Sequence, residues 1–102
     1  MNADVNSATI TYEESKELAQ HQDPEIRAAL AKRTDLSPEI LYCLAEDKDK
    51  NVRRIVADNL AAPRQTDVLL ARDADADVRQ GLAAKIAKVA RDLPSDASDK
   101  LR

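Results

Sequence analysis

Apolar residues recur along this chain at helical spacing, in short segments that polar turns separate. Val52, Ile55 and Val56 fall on one face of a helix with 3.6 residues per turn. In the segment before it, Ile40 and Leu44 share a face in the same way. Isolated helices shorter than about 12–15 residues are marginal in water. Packing between neighbouring helices must therefore hold these segments.

Each predicted helix begins at a recognisable N-terminal signal. Thr11 with Glu14 is a capping-box pattern, in which each side chain binds the other residue's backbone N–H. Asp23-Pro24 is an N-cap followed by proline at the first helical position, where the missing N–H costs nothing. The remaining starts are Ser37-Pro38, Asp49, Ala62-Pro63 and Asp75. The predicted helices cover about residues 11–20, 23–33, 37–46, 49–59, 62–72 and 75–92, and Leu93-Pro94 stops the last one.

The same residue types return at a fixed period of 26 positions. The repeated positions hold a leucine, an alanine, an aspartate, an arginine and a second alanine. They are Leu18, Leu44 and Leu70; Ala19, Ala45 and Ala71; Asp23, Asp49 and Asp75; Arg27, Arg53 and Arg79; and Ala31, Ala57 and Ala83. A fixed period between about 20 and 50 residues is typical of proteins built from stacked repeats.

The repeat predicts an all-α protein of about six short helices, in which each 26-residue unit is a helical hairpin. We call the helices beginning at Asp23, Asp49 and Asp75 the A helices, and those beginning at Thr11, Ser37 and Ala62 the B helices. One domain is expected over residues 11–92, with a disordered N-terminus at 1–10 and a flexible tail at 93–102.

The two ends of the array are expected to be solvated caps. Glu14 and Ser15 stand on the first B helix at positions that are apolar on the second, which predicts a polar outer face there. The last A helix is longer than the others, and its extra turns carry Ile86 and Val89. These two side chains are expected to cover the open end of the array.

Three segments carry the repeat in register: LAQHQDPEIRAALA at 18–31, LAEDKDKNVRRIVA at 44–57 and LARDADADVRQGLA at 70–83. Over about residues 11–91 this motif resembles the leucine-rich-repeat-variant and short HEAT-like repeats of bacteria. The resemblance implies a short right-handed α-solenoid, a superhelix without strands, that acts as a scaffold or interaction module. Some relatives carry an iron–sulfur cluster on a cysteine-rich segment. This chain has one cysteine, so no cofactor carries over.

Composition agrees with a small helical domain and favours a cytoplasmic location. The 102 residues include two tyrosines and no phenylalanine or tryptophan, so the core must consist of Leu, Ile, Val and Ala. Cys43 has no partner for an internal disulfide, which favours a reducing cytoplasm, and it lies beside an apolar stripe where a core position is expected. The chain from Met1 to Glu14 lacks the basic and apolar regions of a signal peptide. No apolar run approaches the roughly 20 residues that cross a bilayer.

The repeated arginines have two interpretations. They can face a carboxylate or phosphate ligand, or they can form a structural ladder with aspartates that fixes the stacking of the repeats. The aspartate four residues before each arginine is near enough to pair with it. We favour the structural ladder, because the arginines recur together with the core positions. Its residues are Asp23, Arg27, Asp49, Arg53, Asp75 and Arg79.

The acidic turns at 47–51 and 73–77 resemble the first half of a calcium loop. Val52 and Val78 stand where that loop requires glycine, and both turns run into a helix, so helix capping is the favoured interpretation. His21 and Cys43 are single residues with nothing to orient them. The sequence therefore predicts no metal site, no catalytic residue and no cofactor.

The remaining candidates concern partners. The A-helix ends carry basic residues that would suit nucleic acid, but the net charge of −3 and the lack of stacking aromatics disfavour it. Those basic residues are Lys32, Arg33, Lys85, Lys88 and Arg91. Tyr42 and Arg54 are predicted to face solvent as a possible binding surface, although Tyr42 packed partly against a neighbouring helix is an equal alternative.

We therefore expect a non-catalytic repeat module that binds a protein or peptide in the cytoplasm, away from membranes, with a monomer favoured. Nucleic-acid binding is the alternative, and a HEAT-like lyase-type subunit is a third possibility.

Overall fold

The computed structural model describes residues 4–92, and this part of the chain is all-helical with no strand. The all-α prediction is therefore confirmed for the described residues. The six helices are α1 (Tyr12–Ala19), α2 (Pro24–Ala31), α3 (Pro38–Ala45), α4 (Lys50–Asp58), α5 (Arg64–Leu70) and α6 (Ala76–Arg91). The B helices are α1, α3 and α5, and the A helices are α2, α4 and α6.

Four of the six described helices, α1, α2, α4 and α6, begin at a residue whose side chain caps the first turn. The Thr11 hydroxyl accepts the Glu14 N–H at 3.1 Å and the Glu14 carboxylate accepts the Thr11 N–H at 2.8 Å, so the capping box is confirmed. Asp23, Asp49 and Asp75 are each the N-cap of an A helix and accept a backbone N–H from its first turn. The helices end one or two residues before the predicted positions, as is usual for the last turn.

Helices of each type pack against their own kind. Among the A helices, α2 packs on α4 and α4 on α6, while among the B helices α1 packs on α3 and α3 on α5. The core consists of small aliphatic side chains. It includes Leu18, Leu30, Leu36, Ile40, Leu41, Leu44, Val52, Val56, Leu70, Val78 and Leu82. Because this core has no aromatic residue, the helices approach closely through leucine, valine and alanine.

The N-terminal segment is more closely packed than the sequence suggested. Val5, within the residues expected to be loose, is buried, and its backbone carbonyl accepts from Arg33 at 2.9 Å. Ser15, expected on a solvated face, is also buried and donates its hydroxyl to the Tyr12 carbonyl. Val5 stands one repeat length before Ala31, so the segment from residue 4 occupies the place of an earlier A-helix end.

At the C-terminal end, by contrast, side chains that were expected to cover the array are themselves exposed. Ile86 and Val89 on α6 are 53% and 46% exposed, so the expected cover of the open end is not formed by them. Leu93-Pro94 and the tail at 93–102 lie outside the described residues. None of the described helices combines the length and apolar character needed to cross a membrane.

Candidate functional site

The arginine on α2 joins two successive repeats. Arg27 donates Nε to Asp47 Oδ2 at 2.8 Å and Nη2 to Asp47 Oδ1 at 3.2 Å, while Nη1 donates to the His21 carbonyl at 2.6 Å. The side chains of this pair are only 6% and 7% exposed. The same Asp47 Oδ1 also accepts the N–H of Asp49, the residue that caps α4. One carboxylate thus connects the arginine of one repeat to the helix start of the next.

The arginine on α4 repeats this arrangement. Arg53 donates Nε to Asp73 Oδ2 at 2.8 Å and Nη2 to Oδ1 at 3.3 Å, and Nη1 donates to the Asp47 carbonyl at 2.7 Å. Asp73 Oδ1 accepts the N–H of Asp75 at 2.9 Å. In both rungs the arginine precedes its aspartate by 20 residues. We call the series of rungs the arginine ladder.

The ladder differs from the pairing that the sequence suggested within each A helix. Asp23, Asp49 and Asp75 do not receive the arginines, because their carboxylates accept backbone N–H groups as helix caps. The partners are instead Asp47 and Asp73, which lie two residues before a cap. The signal was present in the sequence, since these two aspartates also recur with the repeat period and each follows an arginine at the same separation.

The electrostatics of the second rung follow from its partial burial. Burial raises the pKa of Asp73, but hydrogen bonds from Arg53 and from the Asp75 backbone, with the charges of Arg53 and Arg79, outweigh it. Together they hold the pKa of this carboxyl below its ordinary value. Asp73 therefore stays ionised to lower pH in the folded protein than in the unfolded chain.

The two ends of the ladder are unlike its middle. At the first end, His21 occupies the position of Asp47 and Asp73, and its Nδ1 accepts the Asp23 N–H at 3.0 Å. The imidazole thus replaces the carboxylate as an acceptor without offering a charge to an arginine. At the last end, Arg79 donates Nη1 to the Asp73 carbonyl, is exposed, and meets no carboxylate within residues 4–92.

A second series of contacts runs in the opposite direction. Arg33, Asn59 and Lys85 are evenly spaced, and each donates to a backbone carbonyl 26 residues earlier, those of Ser7, Arg33 and Asn59. The Arg33 and Asn59 carbonyls follow the ends of α2 and α4 and have no partner within those helices, whereas the Ser7 carbonyl lies in the segment before α1. Lys85 also binds the Asp67 carboxylate at 2.7 Å and is buried.

This second series changes the interpretation of the basic residues. Arg33 and Lys85 were candidates for a nucleic-acid surface, but both side chains are committed to carbonyls and to Asp35 or Asp67. Lys32 and Lys88 are exposed. This role had no direct signal in the sequence, because arginine, asparagine and lysine do not form an obvious repeat.

The acidic turns are similarly occupied by structural contacts. The carboxylates of Asp47 and Asp73 bind arginines, and those of Asp49 and Asp75 cap helices. Within residues 4–92, no group of three or more His, Cys, Asp or Glu side chains is arranged to hold a metal ion.

The two residues predicted for a binding surface lie on different helices and do not line a common groove. Arg54 is exposed on α4 and lines an open groove between α4 and α6 together with Asp58, Asp77, Gln80, Gly81 and Ala84. Gly81 permits the close approach here, since a Cβ atom would lie 3.2 Å from the Asp58 carboxylate. Tyr42 is on α3 and does not contribute to that groove.

Tyr42 lies on an exposed face of the B helices. It is 39% exposed, and Val68, at the equivalent position one repeat later on the neighbouring α5, is 52% exposed. Cys43 beside it is also exposed, so the expected core position for this thiol is wrong. Tyr12, also on a B helix, donates its hydroxyl to Glu39 at 2.9 Å, which links α1 to α3. That hydrogen bond and the Glu39 charge raise the pKa of Tyr12. We call Tyr12, Glu39, Tyr42 and Val68 the B-helix face.

Comparison with protein-family models, with curated proteins and with solved structures gave no match. Residues 4–92 form an all-helical domain whose repeats are joined by recurring side-chain contacts.

Proposed function

We propose that this chain is a short right-handed α-solenoid that acts as a non-catalytic module for binding a protein or peptide. The solenoid is supported by the packing order, in which each helix contacts the equivalent helix of the next repeat. It is further supported by the two contact series, which connect residues 20 and 26 positions apart and so join each repeat to its neighbour. Such nearest-neighbour contacts are what a stacked array requires. The handedness follows from the sequence resemblance.

The observation that carries the binding role is the exposed pair Tyr42 and Val68. These side chains occupy equivalent positions on helices that pack side by side, so they contribute to one surface. A tyrosine combines a large apolar area with a polar tip, and tyrosine is enriched among residues that dominate binding energy. Both tyrosines are exposed, but the Tyr12 hydroxyl is bound to Glu39, so Tyr42 with the exposed Val68 beside it is the better anchor for a partner.

Nucleic acid is a weaker partner for this surface. The B-helix face carries the Glu39 carboxylate, and two of the basic side chains at the A-helix ends are held within the fold. Phosphate contacts require free lysine and arginine side chains.

The proposal is tested by capture from a lysate of the native host with the immobilised full chain. Wild-type protein and the Arg54→Ala variant are expected to capture the same partner. Tyr42→Ala is expected to lose at least about 30-fold in affinity for it, since hot-spot residues contribute about 2 kcal/mol or more. Both variants must first show the melting temperature of the wild type, which separates lost binding from lost folding.

Two results would contradict the proposal. Capture that survives Tyr42→Ala but fails with Arg54→Ala would move the surface to the groove between α4 and α6. Capture abolished by nuclease treatment would make nucleic acid the partner.

A further inference from the structure

Two adjoining depressions lie on the exposed face of the A helices. The first has a volume of about 340 Å³, lies between the ends of α2 and α4, and is lined in part by Ile55 and Leu60. The second has a volume of about 400 Å³ and lies between α4 and α6 beside Gly81. Asp58 lines both depressions, so they meet on one surface. We call this surface the A-helix groove.

The first depression is the apolar part of the A-helix groove. Leu60 is 64% exposed, more than any other large apolar side chain within residues 4–92, and Ile55 is half-buried against the core. Burial of apolar surface is the main favourable term in most protein association. An aliphatic side chain of a partner would cover Leu60 and fill the space beside Ile55.

The second depression is polar and has an excess of negative charge. Asp58 and Asp77 are exposed, and neither takes part in an ion pair within residues 4–92, in contrast to the aspartates of the arginine ladder. Arg54 is the cation that lines the same depression. Two carboxylates against one guanidinium favour a positively charged ligand group here.

Gly81 and Gln80 shape the floor of the second depression. Gly81 stands at the position that Ala29 and Ile55 occupy on α2 and α4. A Cβ atom here would lie 3.2 Å from the Asp58 carboxylate, so the glycine leaves room for this carboxylate in the groove. The Gln80 amide is exposed beside it and can both donate to and accept from a peptide main chain.

We propose that the A-helix groove binds an extended segment of a partner protein in which an aliphatic residue lies near a lysine or arginine. The aliphatic side chain enters the first depression, and the cation lies between Asp58 and Asp77 in the second. Packed helices lie about 8–10 Å apart, and an extended chain advances about 3.3 Å per residue. The two side chains are therefore two or three positions apart in the partner.

An acidic segment is a poorer occupant of this groove. Its carboxylates would lie against Asp58 and Asp77, and like charges brought together at an interface disfavour binding. Lys32 lines the first depression and faces the same Asp58. A single lysine at the apolar end does not offset two carboxylates at the polar end, so charge complementarity favours a basic segment.

The test uses short synthetic peptides with blocked ends, in which leucine and lysine are two or three positions apart. Two matched peptides carry glutamate in place of lysine, or alanine in place of leucine. Each is titrated into the isotope-labelled full chain and followed by NMR. Gly81 is the one glycine of the sequence, so its backbone amide is an unambiguous reporter of the groove. We expect the leucine–lysine peptide to shift the Gly81 and Leu60 amides, and the matched peptides to bind about fivefold more weakly or less.

Variants of exposed residues identify the groups responsible. Asp58→Asn is expected to weaken binding of the leucine–lysine peptide about threefold to fivefold, because it removes one exposed charge pair. Leu60→Ala should weaken binding of that peptide but not of the peptide in which alanine replaces leucine. Glu46→Gln, at an exposed carboxylate that follows α3, is the control and should bind like the wild type.

Three results would overturn the proposal. They are a Gly81 amide that no leucine–lysine peptide shifts, glutamate peptides that bind as well as lysine peptides, and an Asp58→Asn variant with unchanged affinity. Gly81 shifts that follow protein concentration without peptide would assign the groove to a second copy instead. The peptide comparison needs only the wild-type chain, so it decides the matter even if a variant folds poorly. The A-helix groove is separate from the B-helix face, and failure here leaves the Tyr42 surface unaffected.

Discussion

At the scale of single residues, neighbouring side chains of the same type have different roles. Arg53 and Arg54 are adjacent on α4, yet the Arg53 side chain is 19% exposed and binds Asp73 and a backbone carbonyl, whereas Arg54 faces solvent. Helical geometry separates them by about 100° around the axis. The sequence predicted this difference, because Arg53 belongs to the repeated positions and Arg54 does not.

The Arg53→Ala variant is expected to unfold more readily than Arg54→Ala. Removing one partner of a largely buried pair takes the bidentate donor from Asp73 and costs about 3 kcal/mol, while loss of an exposed charge changes stability by under about 0.5 kcal/mol. Urea unfolding of the two variants measures the difference. Equal midpoints would show that the ladder does not stabilise the fold.

Thr66 is a polar residue in an apolar environment. It is fully buried on α5, and its hydroxyl has no hydrogen-bond partner among the described residues. The equivalent residue on α3 is Ile40. We expect Thr66→Val to raise the free energy of unfolding by about 1 kcal/mol, because a buried unpaired polar group costs about 1–3 kcal/mol. Thr66→Ser, which keeps the hydroxyl and loses a methyl group, is the control and should be less stable than the wild type.

At the scale of helices and turns, the starts of α4 and α6 each hold two aspartates with different roles. One aspartate caps the helix, and the other binds an arginine of the ladder. In the turn from 73 to 77, Asp75 caps α6 while Asp73 holds Arg53 and the Asp75 backbone together. The helix starts could be predicted from the sequence, since capping depends on residues within a few positions. The arginine partners could not be assigned in that way, because a contact between successive repeats depends on how two hairpins stack.

The same turn predicts a response to acid. The pKa of Asp73 is lowered in the folded protein, so its contribution to stability is present above its ordinary value near pH 4 and is lost as the pH falls through the folded value. Asp35, whose pKa is lowered mainly by the hydrogen bond from Arg33, acts in the same direction. We expect the melting temperature to fall steeply below about pH 4 and to fall less steeply in Asp73→Asn, which starts lower. Parallel curves for the two proteins would contradict this role of Asp73.

At the scale of the whole molecule, the sequence predicted the helices and their repetition but not the two ends. Val5 is buried because it replaces the end of an earlier A helix and is held by Arg33, although the segment around it shows no periodicity. Arg33 itself was interpreted as a basic surface residue. Its true role depends on backbone carbonyls about one repeat earlier in the chain, and contacts with backbone carbonyls leave no pattern of side-chain types.

We propose that contacts between repeats hold the stacked helices in register, and a double-mutant cycle tests this claim most directly. Arg53 is replaced by alanine alone and together with either Asp73→Ala or Asp49→Ala, and urea unfolding gives the coupling energy of each pair. Asp73 lies 20 residues away in the next repeat and binds Arg53, whereas Asp49 lies four residues away and caps the same helix.

We predict a coupling of about 1–3 kcal/mol between Arg53 and Asp73, and under about 0.5 kcal/mol between Arg53 and Asp49. A larger coupling to Asp49, or additive losses for both pairs, would show that the repeats are not joined through the arginine ladder.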